Sequence, residues 1–481
     1  MGLKEQIESR KKKAEQLRLR GVEPYPRRFA VSSTPEAIKQ DFSNYEGKEV
    51  SVAGRIMSIR PHGQVVFVTI KGEEESLQVY VKHDELGEER FQLFHLVDVG
   101  DFLGVQGEVF KTKTGEITVF ARHFTVLSKA LRPLPEKWHG LKDIETRTRQ
   151  RYLDLIANPK VKRVFKTRSQ IIHFIRDFLN QRGYVEVETP ILQPIYGGAA
   201  AKPFSTHHEV LDKEVFLRIA DELYLKRLII GGFEKVYEIS KDFRNEGMDR
   251  LHNPEFTMLE GYEAYSDYTQ IMDLIEAMFE GLCERIKGSS LFEYGGQEIR
   301  FVRPWRRVQF VEILTHNLGQ DPRTLSVRDL TVRLEELSVP VEEGTGRGKL
   351  LDLLFGKIVQ PELIQPTIVY DFPVEMSPLA KRKSDNPELA ERFEAFVCGI
   401  ELCNAFSELN DPTEQRKRFE EQAKGRAVDE GEVHPLDHDF LKALEYGMPP
   451  TGGFGLGIDR VTMIFTDSPS IRDVILFPLL K

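Results

Sequence analysis

Residues 50–128 contain five short segments in which apolar and polar side chains alternate, from "VSVAGRIMSIR" to "EITVFARHFTVLS". This period of two predicts strands that each bury one face. Gly72 and the "KTG" at Lys113 to Gly115 mark turns between strands. Five strands within about eighty residues are typical of a small closed barrel of the OB type. Such barrels often bind single-stranded nucleic acid, although many hold no ligand.

The chain beyond this barrel predicts a second domain that mixes helices and strands. From Ser169 to Leu179 apolar residues recur at helical spacing, and Gly183 is a suitable stop. "YVEVETPIL" then predicts a strand that ends at Pro190. "VFLRIA", "KVYEIS" and "EFTMLEGYEA" are also strand-like and alternate with helices. Because few parallel βαβ units are visible, we predict an α+β domain built on an antiparallel sheet with flanking helices.

These patterns divide the chain into two predicted domains. Residues 1–140 comprise an N-terminal helix, the five-stranded barrel and the linker "LRPLPEKWHG", which its prolines make stiff. Residues 141–481 form the α+β domain, in which about 305–370 are predicted to be a helical insertion.

Composition excludes several classes of protein. The 481 residues have no apolar run of roughly eighteen residues, the length that a membrane span requires. Three cysteines give no disulfide framework, which favours a cytoplasmic protein. The net charge of −9 by itself argues against nucleic-acid binding. The first twenty residues are nevertheless basic, and charge acts locally.

The stretch "FRNEGMDRLHNPEFTMLE" places an unusual density of charge beside strand-like segments. Arg244 follows the first predicted strand, Phe256 lies on the returning strand, and Glu246 and His252 lie in the loop between. A base on Phe256 and a phosphate on Arg244 would make this hairpin a nucleotide site. A surface hairpin held by salt bridges remains the alternative on spacing alone.

A second candidate segment lies near the C-terminus. "GGFGLGIDRVTMIF" is a glycine-rich strand that enters an apolar helix, with Arg460 near the start of that helix. The glycines allow close packing of the backbone, but they do not follow the dinucleotide-binding fingerprint. Arg460 beside an apolar helix needs an anionic partner.

Together these segments resemble the three signature motifs of class II aminoacyl-tRNA synthetases. The helix and strand ending at Pro190, "FRNEG…HNPEF" and "GFGLGIDR" correspond to the first, second and third motif. The N-terminal OB barrel resembles the anticodon-binding domain of subclass IIb. Within that subclass, "YGGAAAKPF", "CNAFSELND" and "IRDVILFP" are similar to the bacterial type of lysyl-tRNA synthetases. The resemblance covers essentially the whole chain.

The resemblance implies roles at the nucleotide. Arg244 would bridge the ATP α-phosphate and the carboxylate of lysine, and it is a catalytic residue together with Arg460, which would hold the far phosphate end. Glu246 and His252 would serve the nucleotide from the loop, and Phe256 would stack under adenine. The resemblance also implies that Glu394 and Glu401 bind Mg²⁺.

The resemblance also implies a pocket for L-lysine that has charges at both ends. Gly198 and Glu222 would bind the α-amino group, and Asn404 would join Arg244 at the carboxylate. Glu408 and Tyr262 would bind the ε-ammonium. The residues implied to bind lysine are Gly198, Glu222, Arg244, Glu260, Tyr262, Asn404, Phe406 and Glu408. Such a pocket repels aspartate by the sign of its charge.

In the barrel, the family's anticodon readers correspond to Phe67, which would stack a base, and to Gln78 and Glu116, which would bind a base edge. Arg60 is a candidate phosphate contact, and a core phenylalanine is the alternative for Phe67. The expected activity is ligation of L-lysine to the 3′ end of lysine tRNA with ATP and Mg²⁺, by a homodimer. The alternatives are a ligase that lysylates a protein and an RNA-binding protein with a dead site.

Two positions depart from the pattern of the family. Leu251 precedes His252, where some members carry a basic residue. Ala405 stands in "NAFSEL" where glycine is frequent, beside the expected pocket.

Overall fold

The computed structural model describes residues 2–134, 143–425 and 436–480. These residues form two compact units, Met1–Pro159 and Lys160–Lys481. The predicted domain boundary between residues 140 and 141, and the second half of the predicted linker, lie outside the described residues.

The first unit contains a closed five-stranded barrel in the order β1-β2-β3-β5-β4, which confirms the predicted OB-type barrel. Along β2, Val66 and Val68 are buried, while Phe67 between them is partly exposed. The apolar side chains at alternate positions, as predicted from the sequence, therefore fill the interior of the barrel. The strands are β1 Glu49–His62, β2 Val65–Lys71, β3 Ser76–Lys82, β4 Phe102–Lys111 and β5 Ile117–Ser128.

Seven helices surround or follow this barrel among the described residues of the unit. Helix α2 is capped by Thr34, whose side chain accepts a hydrogen bond from the backbone N–H of Ala37, and Pro35 occupies its first position. The helices are α1 Leu3–Leu19, α2 Pro35–Gln40, α3 Phe42–Tyr45, α4 His83–Leu86, α5 Glu88–Phe94, α6 Ile144–Arg149 and α7 Arg151–Ala157.

The second unit is built on an eight-stranded sheet in the order β14-β15-β16-β17-β18-β11-β10-β6. Pairing is antiparallel except at the two ends of the sheet, where β14–β15 and β10–β6 are parallel. This arrangement confirms the predicted α+β class. The eight strands are β6 Val185–Glu186, β10 Lys235–Phe243, β11 Glu255–Ala264, β14 Arg306–Gln309, β15 Thr367–Pro373, β16 Leu389–Val397, β17 Ile400–Ser407 and β18 Thr451–Gly457.

Five shorter strands form two small sheets in the same unit. β7, β9 and β8 pair in that order, and β12 pairs with β13. Their bounds are β7 Leu192–Gln193, β8 Ser205–His208, β9 Lys213–Leu217, β12 Leu291–Tyr294 and β13 Gln297–Arg300.

Helices α8, α10 and α16 pack against the eight-stranded sheet and form a large apolar core with it. Ile171 and Ile175 of α8, Ile275 and Phe279 of α10, and Ile464 of α16 are all buried there. The helices are α8 Pro159–Asn180, α9 Glu222–Ile230, α10 Tyr268–Leu282, α11 Phe310–Leu318, α12 Val327–Glu336, α13 Arg347–Ile358, α14 Pro412–Gly425, α15 His438–Glu445, α16 Ile458–Thr466 and α17 Ile471–Val474. Short 3₁₀ turns cover Pro322–Thr324, Gln360–Glu362 and Val374–Met376, and a π turn covers Cys283–Lys287.

Three sequence expectations differ from the structure in detail. Helix α8 begins at Pro159 rather than at Ser169. The strand predicted for "YVEVETPIL" is wrong between β6 and β7: Thr189 donates from its N–H and its hydroxyl to the side chain of Glu238 on β10, and Leu192 belongs to β7 of the small sheet. The helices predicted for about 305–370 are present, but this segment begins and ends with β14 and β15 of the main sheet.

In the described ranges, none of the helices combines the length and the apolar character that crossing a bilayer requires.

Candidate active site

A cavity of about 310 Å³ opens on the face of the sheet formed by β17, β18 and β11, and helix α9 contributes Glu222 and Leu223 to its wall. The structure places every residue predicted to bind lysine on the lining of this one cavity. These residues are Gly198, Glu222, Arg244, Glu260, Tyr262, Asn404, Phe406 and Glu408.

The glycine-rich strand β18 makes the cavity possible. It lies between β17 and β11, with Gly455 opposite Glu260 and Asn404 and with Gly453 opposite Tyr262 and Phe406. A Cβ atom on Gly453 would lie 2.0 Å from the Oε1 atom of Glu408. The two glycines therefore form the floor of the cavity, because they have no side chains and lie between two strands whose side chains are large.

Ala405 does not border the cavity. It pairs with Phe454 and belongs to the apolar core on the opposite face of the sheet, because side chains alternate along β17. The expectation that Ala405 lies beside the pocket is wrong for this reason.

One end of the cavity is strongly acidic. Glu222, Glu260 and Glu408 are all nearly inaccessible to solvent. Burial raises the pKa of Glu260 well above its usual range, and the carboxylates of Asp221, Asp242 and Glu222 raise it further. Tyr262 donates its hydroxyl to Glu260 over 3.2 Å. This end is suited to bind a cation, because a positive ligand would offset the cost of burying the carboxylates.

Asp221 and Asp242 lie directly behind Glu260. One carboxylate oxygen from each of these three residues falls within 4.8 Å of the other two. Arg218 forms ion pairs with Asp221 at 3.0 Å and with Asp242 at 3.5 Å. Burial nevertheless raises the pKa of Asp242 to about 6, although Arg244 and Arg218 act to lower it. The acidic end therefore continues into the core as a dense group of carboxylates.

Sequence reasoning missed two cations in the cavity region. Lys226 of α9 is fully buried, and its Nζ atom contacts Glu222 at 2.5 Å and also contacts Glu408. Arg392 of β16 lines the cavity and donates to the Oδ1 atom of Asn404 at 3.0 Å. The spacing of four between Glu222 and Lys226, on the buried face of one helix, could have indicated the first of these pairs.

The opposite end of the cavity carries Arg244, the first residue after β10. Its Nε atom donates to the carbonyl of Ile219 at 3.3 Å, and its guanidinium carbon lies 5.0 Å from the centre of the Phe256 ring. Arg244 and Asn404 are therefore available to a carboxylate in the cavity, while Phe256 extends the site beyond it. This arrangement suits an amino acid whose carboxylate points toward a nucleotide.

A second group of predicted nucleotide residues lies at the start of α16. Arg460 donates to the carbonyl and to the Oε2 atom of Glu401 at 2.8 and 3.2 Å, and it contacts the Nε2 atom of His252 at 3.1 Å. His252 in turn contacts Asp249 through its Nδ1 atom at 2.8 Å. Glu246 is exposed in the loop between β10 and β11, and it does not line the cavity.

The predicted Mg²⁺ ligands lie on neighbouring strands, Glu394 on β16 and Glu401 on β17. Burial raises the pKa of Glu394 to about 8, although Arg392, which contacts it at 2.5 Å, acts to lower it, and Glu401 raises it again. Two carboxylates that repel each other, one of them in contact with Arg460, have the hard oxygen donors that Mg²⁺ prefers. The residues present therefore fit this ion.

The barrel carries a cavity of its own, of about 630 Å³. Arg60, Phe67, Gln78 and Glu116, all predicted to contact the anticodon, line it together. Arg60 donates to the side-chain oxygen of Gln78 at 3.3 Å. Phe67 lies on the outer face of β2 and packs 5.2 Å from the ring of Tyr80, so it is not part of the barrel core.

Comparisons with known proteins agree with this geometry. Residues 143–481 match the family model "tRNA synthetases class II (D, K and N)", and residues 50–127 match the model "OB-fold nucleic acid binding domain". The lysine–tRNA ligase of Thermoanaerobacter sp. (strain X514) is 52% identical over 481 residues, which cover 100% of this chain and 96% of the relative. That of Moorella thermoacetica is 52% identical over 473 residues, covering 98% and 97%. That of Listeria monocytogenes is 48% identical over 487 residues, covering 100% and 98%.

Proposed function

The chain belongs to the class II tRNA synthetases for D, K and N, and from this premise we propose that it ligates L-lysine to lysine tRNA with ATP. It is an aminoacyl-tRNA synthetase whose OB domain is of a nucleic-acid-binding family. The observation that supports lysine as the substrate is that one end of the cavity is acidic, because the buried Glu222, Glu260 and Glu408 form it.

Among the three amino acids of this family, only lysine carries a second positive charge. Aspartate would place its carboxylate against Glu260 and Glu408, and asparagine would leave their charge unpaired. A buried site that pairs a charge rejects analogues that lack it by about 10⁴-fold or more. The cavity therefore favours lysine over both relatives.

Activation would begin with lysine bound by both ends. Glu222 and the backbone at Gly198 would bind its α-ammonium, Glu408 and Tyr262 its ε-ammonium, and Arg244 with Asn404 its carboxylate. The carboxylate is ionised at neutral pH and needs no base. It would attack the α-phosphorus of ATP, the bond to the bridging oxygen of pyrophosphate would break, and lysyl-adenylate would form.

Phe256 and two arginines would hold the nucleotide in this step. Phe256 would stack under adenine, Arg244 would contact the α-phosphate, and Arg460 would hold the far phosphates near His252. We propose Glu394 and Glu401 as ligands of Mg²⁺, which when bound neutralises charge on the phosphate oxygens. The 3′ hydroxyl of tRNA would then attack the activated carbonyl and release AMP.

The partner of the barrel in this proposal is the tRNA anticodon. Phe67 would stack a base, Gln78 and Glu116 would bind a base edge, and Arg60 would contact phosphate. The shared cavity on the outer face of the barrel supports these assignments. We place the reaction in the cytoplasm, where ATP and tRNA are supplied.

We also propose that the second unit forms a homodimer. Strand β6 is an edge of the main sheet, and Val185, Ile191 and Leu192 near it are 46%, 43% and 51% exposed. Apolar side chains beside an open sheet edge favour contact with a second copy. Light scattering after size-exclusion chromatography should give twice the chain mass of 55.4 kDa, and a monomer at micromolar concentration would refute the dimer.

Amino-acid-dependent exchange of pyrophosphate into ATP, measured without tRNA across all twenty amino acids, tests the proposed function. We expect exchange with lysine, and loss of exchange in Arg244→Ala. The same protein should then charge a lysine tRNA transcript. Absence of exchange with any amino acid, in folded protein with Mg²⁺, would refute the ligase function.

A further inference from the structure

A buried lysine of the chain itself lies behind the acidic end of the cavity, in contact with two of the carboxylates that line it. Lys226 has no solvent-accessible surface, and its ammonium contacts the Oε1 atom of Glu222 and the Oε2 atom of Glu408. It also lies 5.5 Å from the centre of the Phe406 ring. All three partners are residues that we assign to substrate lysine.

The pair formed by Lys226 leaves one oxygen of each carboxylate for a ligand. The Oε2 atom of Glu222 points toward Gly198, 3.9 Å from where a Cβ on that glycine would lie. Both oxygens of Glu408 are buried, and within the described ranges neither makes a hydrogen bond; Oε2 forms the ion pair with Lys226, and Oε1 lies beside Gly453 of the cavity lining. Each carboxylate therefore contacts Lys226 with one oxygen and has the other next to a glycine that lines the cavity.

The charges of this end match those of a diammonium ligand. Asp221 and Asp242 pair with Arg218, and Arg392 pairs with Glu394. Of the remaining groups, Glu222, Glu260 and Glu408 contribute three negative charges when ionised, and Lys226 contributes one positive charge, which leaves two. Lysine carries two ammonium groups, and its carboxylate is matched separately by Arg244. A buried site is stable with its ligand only when such charges balance.

We propose that Lys226 is a positioning residue that determines specificity: its ammonium keeps Glu222 and Glu408 ionised and fixed, so that their free oxygens meet the two ammonium groups of the substrate. This inference rests on the proposed function, since it assigns the cavity to lysine. It adds a role for a residue that does not itself touch the reacting atoms.

The groups facing Lys226 support this role. Burial alone would lower the pKa of Lys226, but Glu222 and Glu408 raise it above its ordinary value, so the ammonium stays charged. Burial raises the pKa of Glu408 well above its usual range, Lys226 acts to lower it, and Glu222 raises it. Burial also raises the pKa of Glu222, while Lys226 and, more weakly, Arg392 act to lower it. The other ionisable groups around are Glu260, Tyr262 and Asp221.

Without the ammonium, these carboxylates would take up protons at neutral pH. The binding of lysine would then require the carboxylates to release those protons. Lys226→Met removes the charge while nearly conserving the volume of the side chain. In isothermal titration of lysine at pH 7, in buffers of different ionisation enthalpy, we expect the variant to release about one proton more than the unchanged protein.

Exchange kinetics give a second readout. The KM for lysine should rise roughly ten- to a hundredfold in Lys226→Met at pH 7, the range for a hydrogen bond to a charged group, with kcat nearly unchanged. That KM should fall as the pH rises toward 9, whereas the unchanged protein should show a flat profile. Lys226→Arg, which keeps the charge, should recover part of the affinity.

Lys235→Met is a matched control. Lys235 pairs with Glu263 at 2.7 Å on the same sheet but does not line the cavity, so its loss should leave lysine binding and proton release unchanged. Thermal unfolding would establish that each variant is folded. If Lys226→Met does not fold, Lys226→Gln removes the charge and keeps a donor.

The outcomes separate this inference from the proposed function. An unchanged protein without lysine-dependent exchange refutes the function itself. An active protein whose folded Lys226→Met variant binds lysine with unchanged affinity and proton release overturns the role of Lys226. Release of a full proton when the unchanged protein binds lysine at neutral pH would also overturn it, because the carboxylates would then not be held ionised.

Discussion

Gly453 offers the sharpest test of how strand β18 shapes the cavity. A methyl group in Gly453→Ala would lie 2.0 Å from the Oε1 atom of Glu408 and 2.6 Å from the Cε1 atom of Tyr262. Neither neighbour can move freely, because Lys226 holds Glu408 and both residues are buried. The substitution should therefore displace the two groups assigned to the ε-ammonium of lysine.

The size of the effect follows from two contributions. Inserting a methyl group into a packed site costs about 1–3 kcal/mol. If Glu408 turns away to relieve the clash, the substrate loses a hydrogen bond to a charged group, about 1.5–3 kcal/mol. These are alternative ways to relieve one clash, so we do not add them. The lost contact corresponds to a rise in the KM for lysine of roughly 10- to 150-fold, whereas strain that leaves Glu408 in place would lower the melting temperature instead.

The assay is lysine-dependent exchange of pyrophosphate, with KM values measured separately for lysine and ATP. The KM for lysine should rise while that for ATP stays within about twofold. Gly452→Ala is the matched control one residue away. Its methyl group would lie 2.7 Å from Ile271 on the opposite face, so it should lower the melting temperature without raising the KM for lysine. Equal KM values for lysine in the two variants would refute the reasoning.

Three further predictions concern charge and nucleic acid. Burial raises the pKa of Asp242 from 3.8 to about 6. Between these two pH values the folded state retains a proton that the unfolded state has lost. The free energy of unfolding should therefore fall by about 2–3 kcal/mol as the pH rises from 3.8 to about 6. Urea unfolding at pH 4 and pH 7 should show that Asp242→Asn lacks this contribution; an identical pH dependence in both proteins would contradict it. Glu401→Gln should raise the Mg²⁺ concentration for half-maximal exchange by roughly tenfold, and an unchanged Mg²⁺ titration would exclude Glu401 as a ligand. Phe67→Ala should lower kcat/KM for tRNA charging by roughly 5- to 150-fold through lost stacking, and exchange without tRNA should be unaffected; equal losses in both assays would indicate a misfolded protein.

The barrel could be predicted in detail because each strand alternates and its neighbour in sequence is mostly its neighbour in space. "YVEVETPIL" alternates as well, yet only Val185–Glu186 pairs with β10. Alternation reports which faces of a segment are polar, but it cannot report whether a partner strand is present. That information lies in the contact of Thr189 with Glu238, two residues far apart in sequence.

The site was predicted through resemblance rather than through spacing, and this limits which residues could be found. Signature motifs identify the residues that touch substrates, and the structure brings those for lysine to one cavity. Lys226 escaped because it lies among apolar residues in "ELYLKRLII", a segment in which the resemblance implied a role only for Glu222. Only the fold shows that Glu408, directly after β17 and far along the chain, approaches this lysine.

One strand orders the reactants along the site. Phe256, Met258, Glu260 and Tyr262 alternate along β11 on the face of the cavity, from the position assigned to adenine to that assigned to the ε-ammonium. Six residues of strand span about 20 Å, enough for a nucleotide and an amino acid end to end. A shift of one residue would turn all four side chains into the core.

The strand pairs that carry these residues accordingly have an unbroken register. β10–β11, β11–β18 and β17–β18 pair without interruption, whereas β15–β16 and β16–β17 contain irregularities. The interruption between Ala395 and Phe396 adjoins Glu394, where the proposed ligand is an ion, and the coordination shell of an ion adapts more readily than a substrate of fixed length. A β-bulge within β11 would instead change the distance between the nucleotide and the acidic end. The regular part of the sheet is therefore the part that would set the alignment of lysine with ATP in the proposed reaction.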